Sequence, residues 1–339
     1  MDDPQKILAI LPNWLGDAAM STPALRALHR RCPQAQITVA GRDAPVQLLA
    51  GLPFLTNSIT LLPRPGLADT LRAACRLRPH ARDLAVVFPH SFRSALLARL
   101  AGSHRRIGYA RDRRSFLLTE PVPPHRQNGI ITPIYMAREY LDLLAPLGCS
   151  DDGLGLQLAT DPAAVEALKP RFDPARPHVG IAPAAAFGPS KLWPADRFAQ
   201  VADALAERLN AQCVLLTGPG EQTTRDAVLH AAKTCFVPLD GAGNPIETLK
   251  AAVSLLDLLI CNDSGARHVA VAFHIPTICI MGPTSPAYSN GPYERGRVLR
   301  VDVDCGPCQK PVCTTDHRCM TQISTQSVIQ TALEILPKP

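Results

Sequence analysis

The 339 residues are enough for two α/β domains of about 150–170 residues, each with its own core. The formal net charge of +6 is unevenly placed: residues 1–170 hold 20 Lys and Arg against 14 Asp and Glu, while residues 171–339 hold 15 against 15. The excess points to an anionic partner at the first half, or to a solvated arginine-rich surface. Aromatic residues at 5% are too few for base-stacking platforms and no recognition motif accompanies the charge, which excludes nucleic acid and leaves an acidic glycolipid or a membrane surface.

No apolar run approaches the length of a bilayer, and the short run at 7–11 follows Asp2 and Asp3, unlike a signal peptide. Eleven cysteines, several in expected core strands (Cys213, Cys261, Cys279), are the usage of reduced thiols. A cytoplasmic location is expected.

In chain order, residues 6–11 read as a strand, and the loop 12–16 leads into a helix completed by 24–31. Strands at 36–40, 58–62 and 83–88 then alternate with helical patterns at 44–52, 67–78 and 91–101, an order that predicts a parallel, doubly wound sheet. A G-x-G-x-x-G after the first strand is lacking, which removes the main support for a dinucleotide site. A strand at 105–110, loops at 111–114 and 121–129, and a helix at 133–147 follow. Three prolines within 167–177 mark the expected boundary, giving domains 1–170 and 178–339. The pattern restarts with a strand at 178–183, a helix at 194–209 with proline at its first turn, and a strand at 213–217; a terminal helix is expected at 323–336.

Residues 255–261 form a nearly continuous apolar run, as suits a strand buried on both faces, and stop at Asn262-Asp263-Ser264-Gly265 before a short helix at 267–273. That helix begins at the carboxyl end of a strand, where open α/β sheets bind ligands, and its first N–H groups can receive a phosphate. A buried strand at 275–281 and the loop Gly282-Pro283-Thr284-Ser285-Pro286 come next.

Four motifs in order carry a resemblance. They are Pro12-Asn13-Trp14-Leu15-Gly16-Asp17, Phe187-Gly188-Pro189-Ser190-Lys191-Leu192-Trp193-Pro194, Asp263-Ser264-Gly265-x-x-His268 with the 282–286 loop, and Cys305-Gly306-Pro307-Cys308 with Cys313 and Cys319. Together they resemble the ADP-heptose:lipopolysaccharide heptosyltransferase family (glycosyltransferase family 9), most of all its type II members. The resemblance implies a GT-B fold, two doubly wound Rossmann-like domains facing a cleft, with the acceptor on the first and the ADP-sugar on the second. It implies inverting, metal-independent transfer of heptose from ADP-L-glycero-D-manno-heptose to heptosyl-Kdo-lipid A, without a cofactor, by an enzyme in peripheral contact with the cytoplasmic leaflet of the inner membrane. A type I enzyme or another ADP-sugar transferase of the family, a nucleotide-sugar epimerase, and a non-catalytic sensor are the alternatives.

Transfer needs a base for the acceptor hydroxyl and positive charge or N–H donors for the departing diphosphate. Asp17, on the loop after the first strand, suits the base, and the resemblance assigns it that role; capping of the next helix is the alternative. Lys191 suits the diphosphate as a point charge. Ser264, Gly265 and the helix start would bind the same group, Asp263 would organise the turn or hold a sugar hydroxyl, and His268 would donate to a phosphate oxygen. By resemblance Thr217, Gly218, Glu221 and Asn244 approach the adenosine. This sequence departs from its relatives at Ala185-Ala186, where hydroxyl or acidic residues are common. In the basic half, Asn13, Ser91, Arg93, Arg111 and Arg114 are the expected acceptor contacts. No metal is needed by this scheme; Cys305, Cys308, Cys313 and Cys319 read as free or reversibly oxidised thiols, with a structural zinc knuckle as the alternative.

Overall fold

The computed structural model describes residues 3–63, 66–239 and 245–336. It divides into two compact units, Met1–Ala159 and Thr160–Pro339.

The first unit is built on β1 (Lys6–Ile10), β2 (Gln36–Gly41), β3 (Asn57–Thr60), β4 (Leu84–Val87), β5 (Arg105–Tyr109) and β6 (Glu120–Val122), with α1 (Leu15–Met20), α2 (Thr22–Arg31), α3 (Asp43–Leu48), α4 (Leu67–Leu77) and α5 (Phe92–Leu100) between them. The six strands are all parallel in the order β3-β2-β1-β4-β5-β6. β1 lies at the middle, with Ile7 opposite both Ile37 and Leu84, and these apolar strands are buried on both faces as a helix-covered parallel sheet requires. The hairpin β7 (Arg126–Gln127) and β8 (Ile130–Ile131) and helix α6 (Met136–Leu143) complete the unit.

The second unit runs through α7 (Pro162–Leu168), β9 (His178–Ala182), α8 (Ala195–Leu209), β10 (Gln212–Leu215), α9 (Gln222–Ala231), α10 (Pro245–Ser254), β11 (Leu258–Asn262), α11 (Gly265–Ala272), β12 (Thr277–Ile280), α12 (Pro286–Ser289), β13 (Gly296–Leu299), α13 (Arg318–Thr321) and α14 (Thr325–Ile335). Its parallel sheet has the order β10-β9-β11-β12-β13. Val179, Ile181, Ile260 and Ile278 from the sheet pack with Phe198, Leu205 and Val328 from α8 and α14 in one core.

Two expectations are corrected. The units divide at 159/160, ahead of the proline-rich stretch. Residues 160–177 are fastened to the second unit: α7 packs on α10, the Asp173 amide donates to Gln212 Oε1 at 2.6 Å, and Arg176 donates to the Asn210 carbonyl at 2.7 Å. The 121–129 loop contributes β6, an edge strand where Pro121 costs no ladder bond to a further neighbour. At the other sheet's edge, β13 is partly exposed and begins with Arg297 after its glycine, so it lacks the apolar signature of a buried strand.

Gly296 has φ +125°, and a Cβ there would overlap the Thr277 carbonyl on the neighbouring strand. Gly296→Ala should therefore cost about 2–3 kcal/mol and lower the thermal midpoint by several degrees, as read by circular dichroism. An unchanged midpoint would contradict this close approach of backbones.

Candidate functional site

In the second unit the segments that follow three strands, β9, β11 and β12, meet at one carboxylate. Asp263, immediately after β11, is buried. Its Oδ2 accepts from Lys191 Nζ at 2.6 Å and from Thr284 Oγ1 at 2.8 Å. Its Oδ1 accepts from Arg267 Nη1 at 3.0 Å and from Ser289 Oγ at 3.2 Å. Lys191 also donates to the Asp263 carbonyl at 3.0 Å and lies 5.1 Å from the Phe187 ring centroid. Burial alone would raise the Asp263 pKa, but the charges of Lys191 and Arg267 outweigh it and hold the carboxyl well below the usual range.

Arg267 is itself buried and forks onto Glu294 at 2.7 and 2.6 Å, while Thr277 Oγ1 donates to the same carboxylate at 2.6 Å. The bidentate geometry fixes the guanidinium plane, and with it α11. The Asn262 amide joins the lysine loop from the other side: Oδ1 accepts from the Trp193 amide at 3.2 Å and Nδ2 donates to the Pro183 carbonyl at 2.6 Å. Asp263 therefore organises the turn, and each of its carboxylate oxygens accepts from two protein groups.

Ser264 is the N-cap of α11 with extended backbone and makes no side-chain capping bond, so the first-turn amides of Gly265 onward remain for an incoming anion. His268, on the next turn, is buried; burial first, then the charge of Arg267, pushes its pKa down to about 4, and the ring is neutral at neutral pH. A neutral imidazole retains one N–H to donate. Thr217 and Gly218 follow β10, where the Gly218 amide donates to Glu221 Oε2 at 2.6 Å, making a closed turn at the start of α9. Asn244 lies outside the described residues.

The cysteine segment supports the lysine loop. Ser190 donates from its amide to the Pro311 carbonyl at 3.1 Å and from its hydroxyl to the Lys310 carbonyl at 2.6 Å, and its own carbonyl accepts from His317 Nε2 at 2.7 Å. Gly188, at φ +151°, is needed because a Cβ would strike the Pro311 carbonyl. Cys305, Cys308, Cys313 and Cys319 are free thiols around a cavity of about 170 Å³. Among the described residues no three His, Cys, Asp or Glu side chains are grouped to hold a metal ion, so the zinc-knuckle alternative finds no ready-made site.

In the first unit a cavity of about 580 Å³ opens at the carboxyl ends of β1 to β4, and Asn13, Ser91 and Arg93 are among its lining residues. Arg42, Arg72 and Arg76 line it too. Asp17 is on the first turn of α1, half-buried and outside that lining; its charge contributes to holding the buried Tyr140 hydroxyl protonated. Arg111 faces Glu139 at 3.7 Å, next to His90 at 2.9 Å from the same oxygen. Arg114 requires a correction. It is fully buried, donates to the carbonyls of Pro89, Ser91 and Tyr109, and so braces the loops after β4 and β5 from behind, where no ligand contact is possible.

Sequence reasoning missed Arg267 and Glu294. The signal for the first was available, since Asp263 and Arg267 stand four apart at a helix start and meet on one face. No local pattern marks Glu294, which is 27 residues from its partner.

Comparisons with known proteins agree with this geometry. Residues 70–318 match glycosyltransferase family 9 (heptosyltransferase). The chain is 27% identical to lipopolysaccharide heptosyltransferase 2 of Escherichia coli K12, over 96% of this chain and 97% of that one. It is 29% identical to lipooligosaccharide heptosyltransferase 2 of Haemophilus ducreyi, over 87% and 88%. The solved structure of E. coli ADP-heptose lps heptosyltransferase II superposes with a TM-score of 0.79, at 27% identity, covering 97% of this chain and 98% of that one.

Folding depresses the His268 pKa from 6.5 to about 4, so between these values the unfolded chain takes up a proton that the folded chain does not. The stability contributed by His268 is complete above pH 6.5 and is lost as the pH falls toward 4; the depressed Asp263 acts with the same sign below the ordinary carboxylate range. His268→Gln should flatten the loss of unfolding free energy through that window in urea titrations. Parallel curves for the two proteins would contradict the assignment.

Proposed function

The chain belongs to glycosyltransferase family 9, the heptosyltransferases, and on that premise we propose that it moves heptose from ADP-L-glycero-D-manno-heptose to heptosyl-Kdo-lipid A of the lipopolysaccharide inner core. The GT-B relatives named heptosyltransferase 2 support this reading over most of the chain length. The single observation that carries it is the anchored start of α11, where Lys191 is fixed beside free first-turn amides by Asp263. A cation and a helix N-terminus together suit a diphosphate.

The reaction is a single displacement with inversion. Asp17 accepts the proton of the acceptor hydroxyl, the hydroxyl oxygen bonds to the anomeric carbon, and the bond from that carbon to the β-phosphate oxygen breaks. The electron pair leaves with ADP, whose growing charge is met by Lys191 and by the amides after Ser264. His268 donates to a phosphate oxygen from its neutral ring. Because Lys191 is already held by Asp263, it needs little reorganisation to share its remaining proton with a phosphate. Fixed protein charge carries the role that a metal ion has in other transferases. The first unit takes the acceptor and the second the donor, with Thr217, Gly218, Glu221 and Asn244 toward the nucleoside. On this reading the enzyme works in the cytoplasm, in peripheral contact with the inner membrane.

Purified protein supplied with ADP-heptose should add one heptose to heptosyl-Kdo-lipid A and none to Kdo-lipid A, as read by mass spectrometry. Asp17→Asn should lower kcat by about 10²–10⁴-fold with little change in KM for ADP-heptose. Addition to the bare core would make it a type I enzyme; an unaltered kcat in the variant would remove Asp17 from the chemistry.

A further inference from the structure

The chain has two tryptophans, and they are used in opposite ways. Trp193 is 2% exposed, with its ring against Phe198 and its indole N–H donating to the Ile323 carbonyl. Trp14 is 52% exposed, and among the described residues its ring meets no other ring or cation and its N–H meets no acceptor. A tryptophan left in water forgoes one of the largest burials open to a side chain. The helix beside it gains nothing from the indole. Trp14 is the N-cap of α1, where Ser, Thr, Asp or Asn would satisfy a first-turn amide, and its side chain makes no capping bond. A local rule broken with no structural compensation points to a position that has another task.

Its place in the fold says what that task concerns. Trp14 follows β1, the middle strand of the first unit's sheet, at the carboxyl end where such sheets bind ligands. Asn13 before it lines the cavity of about 580 Å³, and Asp17 after it is on the first turn of α1. The N-cap and the third helical residue are the two positions whose side chains meet across a helix start, and here they are Trp14 and Asp17. The helix fixes their spacing, since the Ala18 amide donates to the Trp14 carbonyl at 3.0 Å. The extended backbone of Trp14, φ −94° and ψ 143°, thus carries the indole on the side of the helix start that bears the carboxylate.

We propose that Trp14 is the platform on which the acceptor sugar ring that bears the attacking hydroxyl stacks. The C–H groups on one face of a pyranose are apolar and weakly positive, and the face of an indole is electron-rich, so the two meet face to face while the ring hydroxyls turn to polar groups around the edge. With the ring flat on Trp14, an edge hydroxyl reaches the carboxylate three residues along, and the indole N–H is left to hold a second hydroxyl. The inference rests on the proposed transfer for the identity of that ring, which is the terminal heptose of the acceptor. A nucleobase also stacks on an indole, so the adenine of the donor is the competing occupant. The exposed rings of Phe92 and Phe116 do not compete for either, being paired with each other at 6.0 Å between centroids.

The test uses the intrinsic fluorescence of the full chain, in which acrylamide reaches Trp14 and not the buried Trp193, with acyl-free heptosyl-Kdo acceptor or ADP added singly. The acceptor should lower the quenching constant by about twofold or more, and ADP should leave it unchanged. In transfer assays Trp14→Ala should raise the KM for the acceptor by about tenfold or more with the KM for ADP-heptose unaltered, and Trp14→Phe, which keeps a flat ring, should restore most of the difference. Both variants should give the wild-type circular dichroism spectrum, because an exposed side chain leaves no cavity behind. Shielding by ADP, no shielding by the acceptor, or an acceptor KM unmoved in Trp14→Ala would overturn the proposal. So would equal rises in both KM values, the mark of a general disturbance of the unit. If the acceptor shields Trp14 but no heptose is transferred, the transferase reading fails and the stacking site stands; if heptose is transferred while Trp14 stays open to acrylamide, the stacking site fails and the transferase reading stands.

Discussion

A carboxylate taken out of water costs several kcal/mol unless charge and hydrogen bonds replace its hydration, and Asp263 is such a group. Its two oxygens are satisfied by a lysine from the loop after β9, an arginine from α11, a threonine from the loop after β12 and a serine at the end of α12. None of these loops can drift without leaving part of a buried charge unpaired. The constraint works in both directions: the loops solvate Asp263, and Asp263 sets where they stand. Lys191, which as an isolated surface lysine would sample many rotamers, is held in one place next to the start of α11.

Two further layers keep that arrangement rigid. Glu294 fixes the Arg267 guanidinium from the far side, so the arginine is a strut between two carboxylates. Below the lysine loop, the 305–319 segment grips Ser190 through three hydrogen bonds and leaves room only for glycine at 188. The role of this segment is thus positional whatever the oxidation state of its thiols. Trp193 adds an apolar anchor, buried against Phe198 with its indole N–H donating to the Ile323 carbonyl at 3.0 Å.

How much of this was legible in the sequence follows from the range of the interaction. The buried strands β1, β2, β4, β9, β11 and β12 announce themselves as apolar runs, and Asn262-Asp263-Ser264-Gly265 announces a helix start at a strand end, because both are local signals. Asn13, Ser91 and Arg93 could be grouped because each follows a strand of one parallel sheet, and topology alone brings such positions to one edge. The pairing of Lys191 with Asp263 spans 72 residues and leaves no pattern in either neighbourhood. Arg114 misled for the complementary reason: it sits in a run of arginines that looks solvated, yet it is fully buried and binds carbonyls. The edge strands β6 and β13 lack an apolar signature because half of an edge strand faces water.

The account turns on Lys191 acting on diphosphate from the place where Asp263 holds it, and titration calorimetry of ADP and of adenosine into wild-type protein and Lys191→Ala addresses this most directly. Loss of one charge-assisted contact should raise the Kd for ADP by about tenfold or more while leaving that for adenosine unchanged. An equal weakening of both ligands would mean that the substitution merely disturbs the site, and unchanged ADP binding would mean that Lys191 does not touch the diphosphate; either would contradict the account.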